Sequence, residues 1–337
     1  MSSSRTVSTP LTTFVSALVG ATVLDVPPGT GAFAPPLAPA TQSLPLSPPH
    51  SSSSSSAPDT AAAVLVSPVR AFGDGVEIVA LHNLAALDDA AKERIFAHTF
   101  PYTARAFATA HLTGGDLSTM SPENRQDHLD HTFGGSGVTF LLGSPAEISE
   151  KVSEKETNST VAAAAAAAAA EPTTMRLHAH LNASFVAPSA TLDDLGAVVY
   201  VHAVCCDPTF QGRGFARKIF TEAVRVLRPQ ARYLTLRTMN VAIVKLMASV
   251  CKGNVYPVDP FDAKQRPDLP RIAEALRAEL EWGTALQSDT LLIPRGYPPF
   301  LIPVFKGVSR GSALENLVDG MIDRDKGDCL CCISDLL

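Results

Sequence analysis

The chain has 337 residues. A domain of ordinary length needs about 100–200 residues, so the chain is longer than a single domain requires. Its 27 basic and 33 acidic side chains give a net charge of −6, which argues against a nucleic-acid or anionic-membrane surface. The six cysteines come without histidines at metal-type spacing, so the sequence predicts no metal site. From Val64 onward no apolar run reaches membrane-spanning length.

Residues 1–63 are predicted to be a disordered targeting tract. They are rich in serine and proline, and such a segment cannot bury enough apolar surface to offset the entropy lost on ordering. The apolar stretch Leu11–Leu24 has the length of a signal-peptide core, and the motif Gly31–Pro35 (GAFAP) follows it. This order resembles the bipartite plastid presequence of algae with secondary plastids, which is cut just before a phenylalanine, here Phe33. A disordered tail on a cytoplasmic protein is the alternative.

Residues 64–306 are predicted to form one α/β domain. Val76–Leu81 has the composition of a first strand. Asp88–Phe100 is predicted as a helix, whose acidic first turn complements the helix dipole. A further helix is predicted to begin at Ser121-Pro122, because serine caps helices and proline suits their first position.

Two more strands are predicted before a glycine-rich loop, Val138–Leu142 and Met175–Val186. Between them, residues 144–174 include the alanine run Ala162–Ala170, which favours helix but has no partner face to pack. This segment is predicted to be a disordered, low-complexity insertion in the domain.

The most informative stretch, Val198–Leu227, combines a strand, a glycine loop and a helix. Val198–Cys206 is a continuous apolar run typical of a strand buried on both faces, and Pro208 ends it. The loop Gln211–Ala216 (QGRGFA) follows, and an amphipathic helix opens on it. Glycines let backbone N–H groups approach a ligand closely, and the helix N-terminus adds unpaired donors. The stretch therefore predicts an anion site.

This loop fits neither of two common nucleotide-binding motifs. A Walker loop needs a Lys-Ser/Thr pair where Phe215-Ala216 stands, and a dinucleotide-binding fold needs a third glycine. The loop instead resembles motif A of the GCN5-related N-acetyltransferase family, which reads Gln/Arg-x-x-Gly-x-Gly/Ala after a buried strand. Gln211, Gly214 and Ala216 occupy the three defining positions.

The resemblance covers about Val76–Val258, and its specific part is Val198–Asn240. It implies an α/β (α+β) fold with a mixed, largely antiparallel central sheet flanked by helices, and acetyl-CoA as cosubstrate. In the family the loop amides hold the CoA pyrophosphate, and the pantetheine arm lies between strands four and five, which splay apart. The residues implied to contact the cosubstrate are Val204, Cys205, Cys206, Gln211, Gly212, Arg213, Gly214, Phe215, Ala216 and Asn240.

After the loop helix, Arg232–Met239 is predicted as the fifth strand and Val241–Cys251 as a helix capped by Asn240. The family's usual tyrosine later in that helix, which protonates the leaving thiolate, is missing. Tyr256 or water is left to take its place.

The last part of the chain matches no motif. Leu269–Leu286 is predicted as a helix, and the proline-rich Leu291–Phe305 as short edge strands at most. Residues 307–337 are predicted to be a C-terminal tail, either simply disordered or carrying a lipidated or redox-active cysteine cluster. That cluster consists of Cys329, Cys331 and Cys332.

Acyl transfer to an amine requires an aligned thioester, loss of a proton from the ammonium, and donors for the developing oxyanion. The resemblance implies that backbone amides of Val204–Cys206 supply the oxyanion donor. His202 and Tyr200 lie on one face of the same strand, in the region where family members often carry a glutamate base. They are the candidate catalytic residues, with His202 as the base because a neutral imidazole suits the deprotonation of an amine. The alternative is that His202 is a satisfied core histidine.

The sequence therefore predicts an N-acetyltransferase that transfers an acetyl or other acyl group from acetyl-CoA to an amine in a ternary complex, without a metal. The acceptor is left open among small amines, peptide N-termini and lysine side chains. A non-catalytic acyl-CoA-binding module of the same fold is the alternative. A nucleotide-phosphate binder of another fold is a third hypothesis, which the absence of a lysine in the loop disfavours.

Overall fold

The computed structural model describes residues 65–72, 75–106, 137–145, 175–186, 194–280, 282–297 and 312–336, with the single residues 11, 14, 15, 125, 129 and 192. Most of the predicted targeting tract, the helix start at Ser121-Pro122 and the insertion from residue 146 to 174 lie outside the described residues.

The described strands form one sheet that positions the candidate site at its centre. They are β1 (Leu65–Ala71), β2 (Glu77–His82), β3 (Gly137–Pro145), β4 (Met175–Phe185), β5 (Val198–Cys206), β6 (Tyr233–Thr238), β7 (Val255–Tyr256), β8 (Leu292–Ile293) and β9 (Cys329–Asp335). Their order is β1-β2-β3-β4-β5-β6-β9-β7, and β8 pairs with β9. β5 and β6 run parallel, whereas the other paired neighbours run antiparallel. The predicted fold class, a mixed and largely antiparallel sheet with helices, is confirmed.

The helices that flank the sheet are α1 (Asp89–Ala106), α2 (Phe215–Leu227), α3 (Val241–Cys251), α4 (Asp268–Glu279) and α5 (Ala313–Met321). α1 packs against Val79 and Leu141 on one face of the sheet. α2 packs against Phe140 and Leu181 on the other face. Full burial of a side chain of this kind stabilises a fold by roughly 1.5–3 kcal/mol, so the two cores hold the sheet from both sides.

Several predicted elements agree with the structure in their bounds. Val198–Cys206 and Val241–Cys251 have the predicted limits, and Met175–Val186 is one residue longer than observed β4. The predicted helix Leu269–Leu286 is too long, because α4 ends at Glu279. β1 was not predicted, since its Pro68 is unusual in a strand. An edge position and the register shift between Pro68 and Arg70 accommodate that proline.

The prediction of a C-terminal tail is wrong for Cys329–Asp335. This segment is β9, which lies between β6 and β7 and pairs along the whole length of β6. Cys329, Cys331 and Cys332 are buried, and burial raises the pKa of the Cys332 thiol to about 12. Fully enclosed, protonated thiols suit neither lipidation nor redox exchange, so the three cysteines serve as core side chains.

The predicted disorder of residues 1–63 also needs a local correction. Leu11, Phe14 and Val15 are helical, and Leu11 and Val15 are completely buried in the core beneath α1. The backbone N–H of Leu11 donates to the Glu77 carboxylate at 2.8 Å. At these three residues, therefore, the tract packs on the domain. Among the described residues no helix combines the length and the apolar character needed to cross a bilayer.

Candidate functional site

The glycine loop has the open shape that the sequence predicts. Asp207 caps the short turn that leads from β5 into the loop. Its Oδ1 accepts hydrogen bonds from the Thr209 N–H at 2.9 Å and from the Thr209 hydroxyl at 2.8 Å. Gly212 and Gly214 both have φ of +78°, a left-handed conformation that favours glycine. A Cβ built on either glycine meets no atom within 4 Å. The outer surface of the loop is thus free to receive a ligand.

Backbone donors converge on this surface. The N–H groups of Gln211 and Arg213 donate to the carbonyls of Pro208 and Phe210, which immediately precede the loop. Within the described part of the chain, the N–H groups of Gly212, Gly214, Phe215 and Ala216 have no acceptor. The last two open α2, where the N–H groups have no intrahelical partner and carry the positive end of the helix dipole. The loop is therefore a ready-made anion site.

Cationic side chains surround the loop. The guanidinium groups of Arg176 and Arg213 stack on the buried Phe210 ring, with Cζ 4.9 and 5.1 Å from its centroid. The Lys218 ammonium lies 5.5 Å from the centroid of Phe215. Arg176 also lies 3.7 Å from the buried Asp207 carboxylate, which offsets its charge. Arg213 and Lys218 are therefore the cations that add to the backbone donors and favour a polyanionic group such as a pyrophosphate.

A gap opens between β5 and β6 next to this loop. The two strands pair only from Val198 to Val201 and from Tyr233 to Leu236, although β5 continues to Cys206 and β6 to Thr238. His202 is the extra residue of a bulge, because Ala203 and Val201 pair with the consecutive residues Asn182 and Ala183 of β4. A bulge bends its strand and increases the local twist. The backbone of residues 204–206 consequently pairs with β4 but lies beyond the reach of the β6 ladder.

The two candidate catalytic residues lie together at the opening of this gap. The rings of Tyr200 and His202 meet edge to face, with centroids 4.8 Å apart. The Nε2 atom of half-buried His202 is hydrogen-bonded to the Ser184 hydroxyl at 2.7 Å. Burial raises the pKa of Tyr200 well above its ordinary value, so its phenol stays neutral. The structure thus places a half-buried histidine beside a neutral phenol.

The cysteines of β5 occupy ordinary packing positions. Cys205 is 2% exposed and packs in the core beneath α1, whereas Cys206 packs beside α2. Burial raises the pKa of the Cys206 thiol to about 11, which leaves it protonated at neutral pH. Val204, Cys205 and Cys206 therefore contribute to the candidate site through their backbone.

Asn240 and Tyr256 differ in their relation to the gap. Asn240 follows β6, and its Oδ1 caps α3 by accepting from the Ala242 N–H at 2.9 Å. Tyr256 lies in β7, which β9 separates from β6. Its hydroxyl accepts from Arg266 at 2.9 Å and from Asn254 at 3.0 Å. The prediction that Tyr256 replaces the missing tyrosine is therefore not supported, because β6 and β9 both intervene.

Three further residues were missed by sequence reasoning and meet Tyr200 on the same face. Arg237 is the first residue of β6 beyond the ladder, and its Cζ lies 5.3 Å from the Trp282 ring and 5.0 Å from the Tyr297 ring. Trp282 and Tyr200 have ring centroids 6.0 Å apart. Trp282 is the one tryptophan of the chain, and this rarity was the only feature of the sequence that could have drawn attention to the three residues. The sequence does not reveal which residues surround it.

The strand order and the splayed parallel pair make the fold similar to that of the GCN5-related N-acetyltransferases. Two solved structures similar to this chain are both of Arabidopsis thaliana NAA60, one in complex with a bisubstrate analogue and one with acetyl-CoA. The first is 17% identical over 43% of this chain and 76% of that chain, with a TM-score of 0.25. The second is 15% identical over 43% of this chain and 77% of that chain, also with a TM-score of 0.25. Similarities this small carry no functional conclusion. No family model and no curated protein matches the sequence.

Proposed function

We propose that this protein binds an acyl-coenzyme A and transfers its acyl group to an amine. The observation that carries the proposal is the continuity of two features, the open-donor loop Gln211–Ala216 and the gap where β5 and β6 part. A pyrophosphate suits the loop amides and the surrounding cations. An extended arm suits the gap, because the backbone groups at the edges of two separated strands can pair with it. One ligand that joins both chemical parts is coenzyme A.

The residues of the chain have distinct roles in the proposed reaction. Bound acyl-CoA would supply an activated thioester carbonyl. Backbone N–H groups of Val204–Cys206 would donate to its oxygen as negative charge develops. His202 would take a proton from the acceptor ammonium, so that the neutral amine attacks the carbonyl carbon and the C–S bond breaks. The Tyr200 ring packed against His202 fixes the orientation of the imidazole. Water would return a proton to the departing thiolate, since α3, where the family's proton-donating tyrosine would lie, has no tyrosine.

Substitution of Gly214 tests the binding half of the proposal. Gly214→Glu would place a carboxylate on the loop surface and repel a pyrophosphate. We expect acetyl-CoA affinity, measured by calorimetry, to fall at least tenfold, the effect of about 1.4 kcal/mol. Gly214→Ala is the control for backbone strain at positive φ, and Gly320→Glu in α5 adds the same charge at another open glycine. Unchanged affinity in Gly214→Glu would remove the main support for the proposal.

A non-catalytic acyl-CoA-binding module is the second candidate, and one observation favours it. α3 has no tyrosine to protonate the departing thiolate, and Tyr256 lies in β7, which β6 and β9 separate from the gap. Release of free CoA thiol on addition of an amine separates the two candidates. Tight acetyl-CoA binding without thiol release over a broad panel of amines would establish the binding module.

A further inference from the structure

We propose that Arg237 and the aromatic residues around it form an acceptor subsite that binds a carboxylate, so that the acceptor is an amine carrying a carboxylate, of the amino-acid class. This inference rests on the proposed acyl transfer. We call the subsite the arginine–aromatic cluster. It consists of Tyr200, His202, Arg237, Trp282 and Tyr297.

The first argument is the missing counter-charge of Arg237. Among the described residues no carboxylate forms an ion pair with it, and its buried Nε has no hydrogen-bond partner. Other partly buried arginines are paired: Arg266 lies 2.7 Å from Asp268, and Arg271 lies 2.6 Å from Asp194. A buried guanidinium without a counter-ion is unfavourable unless something supplies the charge.

The acidic groups nearest to Arg237 do not supply it. They are the phenols of Tyr200 and Tyr297 and the thiol of Cys329. Burial raises the pKa of each of these groups, that of Cys329 to about 12, so all three are neutral at neutral pH. The guanidinium is instead held between the rings of Trp282 and Tyr297. This arrangement fixes its plane and leaves its charge uncompensated.

The second argument is position. Arg237 directly follows Leu236, the last residue of β6 that pairs with β5. It lies two residues beyond Thr235, the partner of Tyr200, and so shares a sheet face with Tyr200 and His202. A carboxylate on Arg237 would thus bring an amine a few atoms away close to the candidate base. A short amino acid has both groups at this spacing, whereas a peptide N-terminus has an amide where the carboxylate would be.

One member of the cluster borders the protein surface. Trp282 borders a surface depression of about 430 Å³ that Glu274 and Arg277 of α4 help to line. These two side chains pair with each other, so neither competes for a ligand at Arg237. Arg237 can discriminate sharply between a carboxylate and an amide, because a buried charged group left without its partner is strongly penalised.

Trp282 offers a direct test, because it is the only tryptophan of the chain and lies against Arg237. The full-length protein is titrated with N-acetylglycine and with N-acetylglycinamide at equal ionic strength, and tryptophan emission is recorded. We expect a saturable change with the acid at a concentration ten- to hundredfold lower than with the amide, the usual effect of a charge-assisted hydrogen bond. In Arg237→Gln the two titrations should coincide. In Arg237→Lys the preference for the acid over the amide should be smaller than in the parent but larger than in Arg237→Gln.

Arg271→Gln is the matched control, because Arg271 is a partly buried arginine of α4 that is paired with Asp194 and lies outside the cluster. It should keep the preference for the acid. Thermal unfolding confirms that the Arg237 variants are folded, and we expect Arg237→Gln to be no less stable than the parent. Equal responses to acid and amide in the parent, or a preference that survives in Arg237→Gln, would overturn the inference. Calorimetry with acetyl-CoA separates this failure from failure of the proposed function, since CoA binding does not require the Arg237 charge.

Discussion

At the scale of single residues, a part of the site can be predicted from the sequence only where its residues are close together along the chain. Gln211–Ala216 was predicted because all its determinants lie within one strand–loop–helix unit. Arg237, Trp282 and Tyr297 were not, because β6 and the long connection between β7 and β9 bring them together only in the folded chain. The spacing of residues along one element carries no information about contacts between residues that are far apart in the sequence.

His202 is the residue whose role is tested most directly. It stands at the bulge of β5, where its imidazole is bonded to Ser184 and packed by Tyr200. If it is the base, His202→Ala should lower kcat by about 10²–10⁴-fold, the usual contribution of a positioned acid–base group. Acetyl-CoA affinity should stay nearly unchanged. His202→Gln keeps polar volume and separates lost chemistry from lost packing.

The pH profile supplies a second readout for His202. Only a neutral imidazole accepts the proton of the amine, so the parental rate should rise with pH, and this rise should be absent in His202→Gln. Turnover at the parental rate in the Gln variant, once an acceptor is known, would make His202 a core residue. His178 and His180 could not then simply replace it, because both are buried in β4.

At the scale of elements, short strands show the limit of local patterns. α2 and α3 were predicted because a helix repeats its apolar positions over several turns. β9 is only seven residues long and was interpreted as a tail, although it pairs with β6 about 90 residues earlier in the chain. Most of its residues are apolar, but a short apolar run does not show whether another strand of the fold pairs with it.

β4 carries a built-in sensitivity of stability to acid. Burial lowers the pKa of His180 from 6.5 to about 4, and burial together with Arg176 lowers that of His178 to about 4. Between pH 6.5 and 4 the unfolded chain therefore binds protons that the folded chain does not. The free energy of unfolding should fall as pH decreases through this range, by up to about 3 kcal/mol for fully buried His180.

Urea unfolding at pH 7 and pH 4.5 measures this effect. His180→Gln cannot titrate, so its stability should depend less steeply on pH than that of the parent. Equal pH dependence in the two proteins would assign the acid sensitivity to other groups, and would count against a neutral, buried His180 in β4.

At the scale of the whole molecule, the packing of the N-terminal tract on the domain conflicts with its proposed use as a plastid presequence. Leu11 and Val15 are buried beneath α1, and burial of such side chains stabilises a fold by roughly 1.5–3 kcal/mol each. A plastid presequence is instead cut off, and cleavage before Phe33 would remove both contacts from the mature protein. The mass of the protein isolated from its native cells distinguishes retention from cleavage.

We expect residues 1–63 to direct a protein to the plastid. The reason is the order of their features: an apolar stretch of signal-peptide length, then the GAFAP motif around Phe33, then a serine- and proline-rich tract without acidic residues up to Pro58. Fused to a fluorescent reporter and expressed in an alga with a secondary plastid, residues 1–63 should carry the reporter into that organelle. In a matched fusion, Phe33→Ala should divert the reporter before it enters the plastid, because the phenylalanine is exposed only after the first cut. A reporter spread evenly through the cytosol would contradict the plastid address and leave, for the described residues of the tract, the packing of Leu11 and Val15 in the core beneath α1.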